Sequence, residues 1–205
     1  MQLAVLIPVK AFGAAKQRLS GLLTPAERRT LARWMAGRVV AAAAPAPAFV
    51  VCDDDEVSAW AESVGATVLW RPGHGLNPAV TDGVASLADA GFDHVVVAHS
   101  DLPLATDLPS FAVAGEVTFV PDRVDDGTNV MALPSSLPVT FSYGARSFHR
   151  HVEAVESLGV AWSVRRDPNA ELDVDSPREV LHPSVLPLVQ EVLPSLRTNP
   201  ANRPR

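Results

Sequence analysis

Short β-branched runs alternate with helical stretches through most of this chain, and that alternation restricts it to an α/β sheet with helices packed on both faces. Residues 3–9 read as the first strand. Thr24-Pro25-Ala26-Glu27 then supplies a Thr N-cap, a proline at the first helical position and a Glu three residues past the cap, opening a helix expected to reach about Ala43. A strand at 48–52, a helix at 54–64 and a strand at 66–70 follow, and the last runs into the loop Arg71-Pro72-Gly73-His74-Gly75. Asn77-Pro78 reads as a second cap-plus-proline start, for a helix ending near Gly91. The nearly unbroken apolar run 94–98 is a strand buried on both faces, and it delivers Ser100-Asp101 at its end. Beyond it come strands at 117–120 and 130–133 around a polar loop at 122–129, a helix at 145–158 and a strand at 160–164. Ser176-Pro177 reads as the cap and first turn of a last helix. Residues 1–196 are expected to form one domain, and 197–205, polar and proline-rich, a disordered tail.

Several function classes fall away on composition. Seventeen Lys+Arg against 23 Asp+Glu give a formal charge of −6, so neither nucleic acid nor an anionic membrane is an expected partner, and a polyanionic ligand must meet a local cluster of cations. The N-terminus lacks a basic, apolar leader pattern, and the longest apolar run is short and broken by Pro45 and Pro47, so the protein reads as cytoplasmic. A single cysteine, Cys52, excludes a disulfide framework and a thiolate zinc site, and its apolar neighbours mark it as a buried strand residue.

Three stretches could carry chemistry. The loop 10–19 brings Lys10, Lys16 and Arg18 together with Gly13 and alanines just beyond the first strand, where open α/β sheets bind ligands, so it is set to meet phosphates. Taken alone it reads equally well as a solvated basic turn. It is neither a Walker loop nor a dinucleotide fingerprint. Asp101 sits at the end of a buried strand, where a hard carboxylate suits magnesium, although a lone Ser-Asp more often caps a turn. In Asp173-Val174-Asp175 the two carboxylates are expected to face apart, Asp173 joining Asp101 at a metal and Asp175 supporting it or capping the helix that follows. An ordinary solvated acidic turn is the bland reading. Asp126-Gly127-Thr128-Asn129 could offer amides and a hydroxyl to an anion, and Gly144-Ala145-Arg146-Ser147 opens a helix whose first amides could do the same. His149 and His151, two apart on that helix, point to roughly opposite faces and make a poor metal pair.

Taken in order, Ile7-Pro8-Val9-Lys10, residues 15–20, Ser100-Asp101-Leu102-Pro103, residues 126–129, Gly144 to Ser147 with His151, and residues 173–177 resemble the 2-phospho-L-lactate / phosphoenolpyruvate guanylyltransferases of deazaflavin coenzyme F-420 biosynthesis. His99 and the Asp125-Asp126 pair depart from that pattern. The resemblance implies a three-layer α/β/α sandwich with a mixed central sheet, of the glycosyltransferase-A-like nucleotidyltransferase type. It implies Mg2+ on Asp101 and Asp173, with Asp175 beside them, and Lys16 and Arg18 at the triphosphate. It further implies that Lys10, Thr128, Asn129, Gly144 and Ser147 hold a phosphorylated three-carbon acid, and that Pro8, Gly13, Asn77 and Ser100 line the nucleotide. GTP and that acid are the expected ligands, and a second copy of the chain or the transferase consuming the product the expected protein partners. Related alternatives are a molybdopterin guanylyltransferase, a sugar-phosphate nucleotidyltransferase, or a nucleotide-binding regulatory module without catalysis.

Overall fold

A computed structural model describes residues 1–73 and 75–198. One seven-stranded sheet organises them, in the order β3-β2-β1-β4-β6-β5-β7. The strands are β1 (Leu3–Pro8), β2 (Ala48–Cys52), β3 (Thr67–Trp70), β4 (His94–Ala98), β5 (Val117–Pro121), β6 (Thr128–Pro134) and β7 (Trp162–Val164). β1, β2, β3 and β4 run parallel to one another, β6 is antiparallel to both β4 and β5, and β7 is parallel to β5. The sheet is therefore mixed, and the start of β6 lies beside the end of β4.

Alternation along β1 builds two of the cores. Val5 and Ile7 face one side, where they meet α1 (Pro25–Ala41) and α2 (Asp55–Ser63) through Ala36, Val39, Val57 and Trp60. Ala4 and Leu6 face the other, against Val80 and Val84 of α3 (Leu76–Asp89) and, further along, Val155 of α4 (Ser147–Ser157). Helices on both faces of one sheet make the three-layer sandwich expected from the sequence. Gly83 permits its close approach of helix to strand, because a Cβ there would sit 2.9 Å from the Leu6 side chain. α1 starts as expected: Thr24 accepts from the Glu27 amide and Glu27 accepts from the Thr24 amide, at 3.3 and 2.8 Å.

A third cluster draws its buried residues from outside the sheet. Leu19 and Leu23 from the first loop, Leu31 and Met35 from α1, Leu172 and Val174 from the acidic segment, and residues of three short C-terminal helices bury one another. Those helices are α5 (Pro177–Val180), α6 (Leu186–Val192) and α7 (Ser195–Thr198). Ser176 caps α5 with a capping box, as its sequence indicates, but α5 is not the last helix: it stops at Val180, ahead of Pro183, and two more follow. The chain is helical through Thr198, two residues into the segment expected to be a tail, and 199–205, like His74, lie outside the described residues.

α3 also starts differently from expectation. It begins at Leu76 with Gly75 as N-cap at φ +69, so Asn77 and Pro78 lie inside its first turn. The Asn77 side chain is engaged elsewhere: its Oδ1 accepts from the Tyr143 amide at 2.7 Å, and its Nδ2 donates to the Tyr143 carbonyl at 3.5 Å. A side chain committed to another segment of backbone is not free to act as a cap.

Candidate active site

The basic loop is shaped by two apolar anchors. Phe12 is buried with its ring edge-on to Trp60, centroids 5.1 Å apart, and Leu19 is buried in the third cluster. The chain between them makes two 3-10 turns, and Lys16 at their junction adopts φ +55, a conformation non-glycine residues seldom take outside constrained sites. The result is a lysine pointed inward. Its Nζ donates to Asp101 Oδ2 and to Asp175 Oδ1, each at 2.6 Å. Arg18 is 80% exposed and 3.9 Å from Asp175.

Asp101 reaches this point from the end of β4, and the acidic segment reaches it by backbone pairing: the Val174 amide donates to the Asp101 carbonyl at 3.0 Å. Leu172 and Val174 turn into the third cluster. Asp173 and Asp175 accordingly both turn the other way, which corrects the expectation that they face apart. Side chains alternate along an extended chain, so residues two apart share a face. Each of Asp101, Asp173 and Asp175 offers a carboxylate oxygen within 4.8 Å of the others, so all three form one constellation able to receive a divalent cation.

Electrostatics at the cluster favour a further cation. Three carboxylates face one ammonium. Burial would lower the Lys16 pKa, but Asp101 and Asp175 outweigh it and hold the lysine above its ordinary value. Burial alone would raise Asp101, and Lys16 outweighs that, keeping its carboxyl below the usual range. Asp173 has no such partner. Burial first, then the charges of Asp101 and Asp175, push it up to about 7. Asp101 Oδ1 is buried without a hydrogen bond. An under-neutralised all-oxygen set with an unpartnered buried oxygen fits a hard divalent ion.

Thr128 and Ser147 are almost wholly buried. Ser147 Oγ accepts from the Thr128 amide at 3.0 Å, and Thr128 Oγ1 lies 2.9 Å from His151 Nδ1. The Ser142 amide donates to His151 Nε2 at 2.9 Å, so the proton of this neutral ring sits on Nδ1, which donates to Thr128. Both hydroxyls keep an O–H to donate. The amides of the 126–129 loop are less available than the sequence suggests. Asp122 accepts from the amides of Val124, Asp126 and Gly127, while the Asp126 carboxylate accepts from the Arg146 amide and its backbone carbonyl from the Phe148 amide. A protein carboxylate already occupies the start of α4. Gly144, at φ +117, makes the turn into it. Asn129 donates to the Ala170 carbonyl at 3.0 Å, tying β6 to the stretch that leads into the acidic segment.

Asp101, though not Asp173, shares with the basic loop one cavity of about 400 Å³, lined among others by Pro8, Lys10, Lys16, Arg18 and Ser100. Asp175 lines it too. Gly13 is exposed and nothing lies within 4 Å of where its Cβ would be, so no close approach requires a glycine there. Asn77, as described, is spent on Tyr143. Thr128, Asn129, Gly144 and Ser147 do not line this cavity, and the connection to them runs through aromatic rings: His99, which does line it, pairs with Tyr143 at 4.8 Å, and Tyr143 with His151 at 4.9 Å. Tyr143 and Asp122 carry no local sequence signal; only the folded contacts reveal them. A larger groove, of about 820 Å³, flanks α1 near Trp34 and Trp60 and holds none of these residues.

Residues 3–184 match the profile of a family described as guanylyl transferase CofC like. The chain belongs to this family. Among its relatives is a phosphoenolpyruvate guanylyltransferase of Rubrobacter xylanophilus, 35% identical, the match covering 88% of this chain and 92% of that one. One of the same name from Chloroflexus aggregans is 32% identical over 84% and 92%. Among solved structures, a protein from Desulfovibrio desulfuricans G20 assigned to the nucleotide-diphospho-sugar transferases superposes with a TM-score of 0.72 at 18% identity, covering 98% and 96% of the two chains. A nucleotidyl transferase from Methanothermobacter thermautotroptrophicus gives 0.60 at 14% identity, covering 97% and 99%. At such identities the likeness establishes the fold, the mixed-sheet nucleotidyltransferase sandwich. No helix among the described residues is long and apolar enough to cross a membrane.

Proposed function

We propose that this CofC-like chain transfers GMP from GTP to the phosphate of phosphoenolpyruvate or 2-phospho-L-lactate, releasing pyrophosphate, as a cytoplasmic step of coenzyme F-420 biosynthesis. The observation that carries the reading is the convergence of Asp101, Asp173 and Asp175, with Lys16 bonded to Asp101 and Asp175 and Arg18 beside Asp175. An acceptor phosphate oxygen forms a bond to the α-phosphorus of GTP, and the bond to the leaving pyrophosphate breaks, pyrophosphate keeping the electron pair. A phosphomonoester has its second pKa near ~6 and is a dianion at neutral pH, so no protein base is required. The demand is to hold two anions together.

Asp101, Asp173 and Asp175 would hold Mg2+, which when bound neutralises phosphate oxygens and fixes their geometry. Lys16, already ammonium-charged and central, meets the triphosphate and its developing charge, and Arg18 extends that field toward solvent. Lys10 lines the same cavity as Pro8 and Ser100, and its cation would serve where the two substrates meet. Thr128 and Ser147 each retain a hydroxyl proton for the acceptor, and His151, by donating to Thr128 Oγ1, aims that proton away from itself. Asn77 and Asp122 position these groups through backbone.

The test is mass spectrometry of the product formed from GTP and a mixture of phosphoenolpyruvate, 2-phospho-L-lactate and 3-phosphoglycerate with Mg2+. A guanosine diphosphate diester of one of the first two acids is expected. No nucleotide adduct, or an adduct of 3-phosphoglycerate alone, refutes the assignment.

A further inference from the structure

His99 lines the cavity, and the chemistry above leaves its side chain unused. Its Nε2 is buried without a hydrogen bond, and its ring packs at 4.8 Å against Tyr143, the residue immediately before Gly144. Its backbone belongs to the same wall: the His99 amide donates to the Asn129 carbonyl at 3.0 Å, next to Thr128. Backbone and ring alike thus attach His99 to the Thr128, Gly144 and Ser147 side, while the residue also lines the cavity that holds Lys10 and Asp101. A polar atom left unpaired in such a place costs stability until a ligand completes it. The incoming groups here are anions, which supply an acceptor, and an imidazole answers an acceptor by carrying its proton on the nitrogen that faces it.

We propose that His99 is a binding residue for the phosphorylated three-carbon acid, its Nε2–H donating to an anionic oxygen of that acid and not to the nucleotide. This rests on the function proposed above. The aromatic column of His99, Tyr143 and His151 then has a purpose: it ties the cavity wall to the buried hydroxyl of Thr128 behind it.

The experiment compares wild type with His99→Phe, which keeps a ring on Tyr143 without the donor, and His99→Gln, which returns an N–H at similar reach. KM is measured separately for phosphoenolpyruvate and for GTP. Loss of a hydrogen bond to a charged group predicts a rise in phosphoenolpyruvate KM of about 10- to 100-fold in the Phe variant, GTP KM staying within about twofold, and recovery of most of the loss with Gln. Should the Phe variant fail to fold, His99→Asn, whose amide stops short of the Nε2 position, takes its place with the same readout. An unmoved phosphoenolpyruvate KM, or a rise confined to GTP, overturns the inference. Wild type that makes no nucleotide adduct overturns the proposed function itself, so the two failures are told apart.

Discussion

Replacing Asp173 with Asn should stabilise the cation-free protein while disabling it. Asp173 is the carboxylate without a basic partner, raised from an ordinary 3.8 to about 7 by burial and by Asp101 and Asp175. A raised folded-state value means that the folded chain holds a proton the unfolded chain has released. Stability from this group is therefore fully present below about 3.8 and is lost as pH rises toward about 7. Roughly three pKa units at ~1.36 kcal/mol each set a ceiling of about 4 kcal/mol, so a working range of about 2–4 kcal/mol applies above pH 7.5. Asn is nearly isosteric and carries no charge, so it escapes this penalty. Urea unfolding in EDTA should show the variant more stable than wild type by that amount at pH 8, the gap closing toward pH 4. Added Mg2+ should stabilise wild type far more than the variant, and turnover should fall by roughly 100-fold or more. A variant no more stable than wild type at pH 8, or a gap that ignores pH, would refute the electrostatic account of the cluster.

Three further outcomes follow from other parts of the site. Lys16→Met removes the ammonium that occupies Asp101 and Asp175, so calorimetry should show tighter Mn2+ or Mg2+ binding without nucleotide, together with a loss of turnover of at least about 100-fold. His151 is pushed down to about 4, mainly by burial, so wild type should lose about 1–3 kcal/mol as pH falls from about 6.5 toward 4. His151→Gln should flatten that dependence in urea titrations, and an unchanged acid limb would exclude the ring as its source. Asn77→Ala removes both bonds to the Tyr143 backbone and should cost about 1–2 kcal/mol, and a raised KM for the acceptor with GTP KM unchanged would show that this clamp positions Gly144.

Local rules made much of the architecture legible. The Thr24 capping box, the period-two alternation of β1 and the apolar run of β4 each need only neighbours in sequence. Of the candidate site, the convergence of Asp101 and Asp173 was expected from the sequence, and the direct contact of Lys16 with Asp101 and Asp175 was not. It depends on Leu19, Leu172 and Val174 choosing the same small cluster and on one amide-to-carbonyl bond between Val174 and Asp101, contacts that span most of the chain. The mutual facing of Asp173 and Asp175 was available from the period of an extended chain. Asn77 misled because Asn-Pro imitates a helix start wherever it falls, and its true partner lies 66 residues away. The amides of the 126–129 loop looked free because the residue that consumes them, Asp122, sits outside that motif.

The third apolar cluster also gives the C-terminal helices a task remote from any reacting atom. Leu193 and Leu196 close it, while Leu19 and Leu172 at its other end carry the cationic and anionic arms. A chain cut short of Leu193 would still own its entire sheet and each ionisable group named above. What it would lack is the clasp that keeps those arms in register.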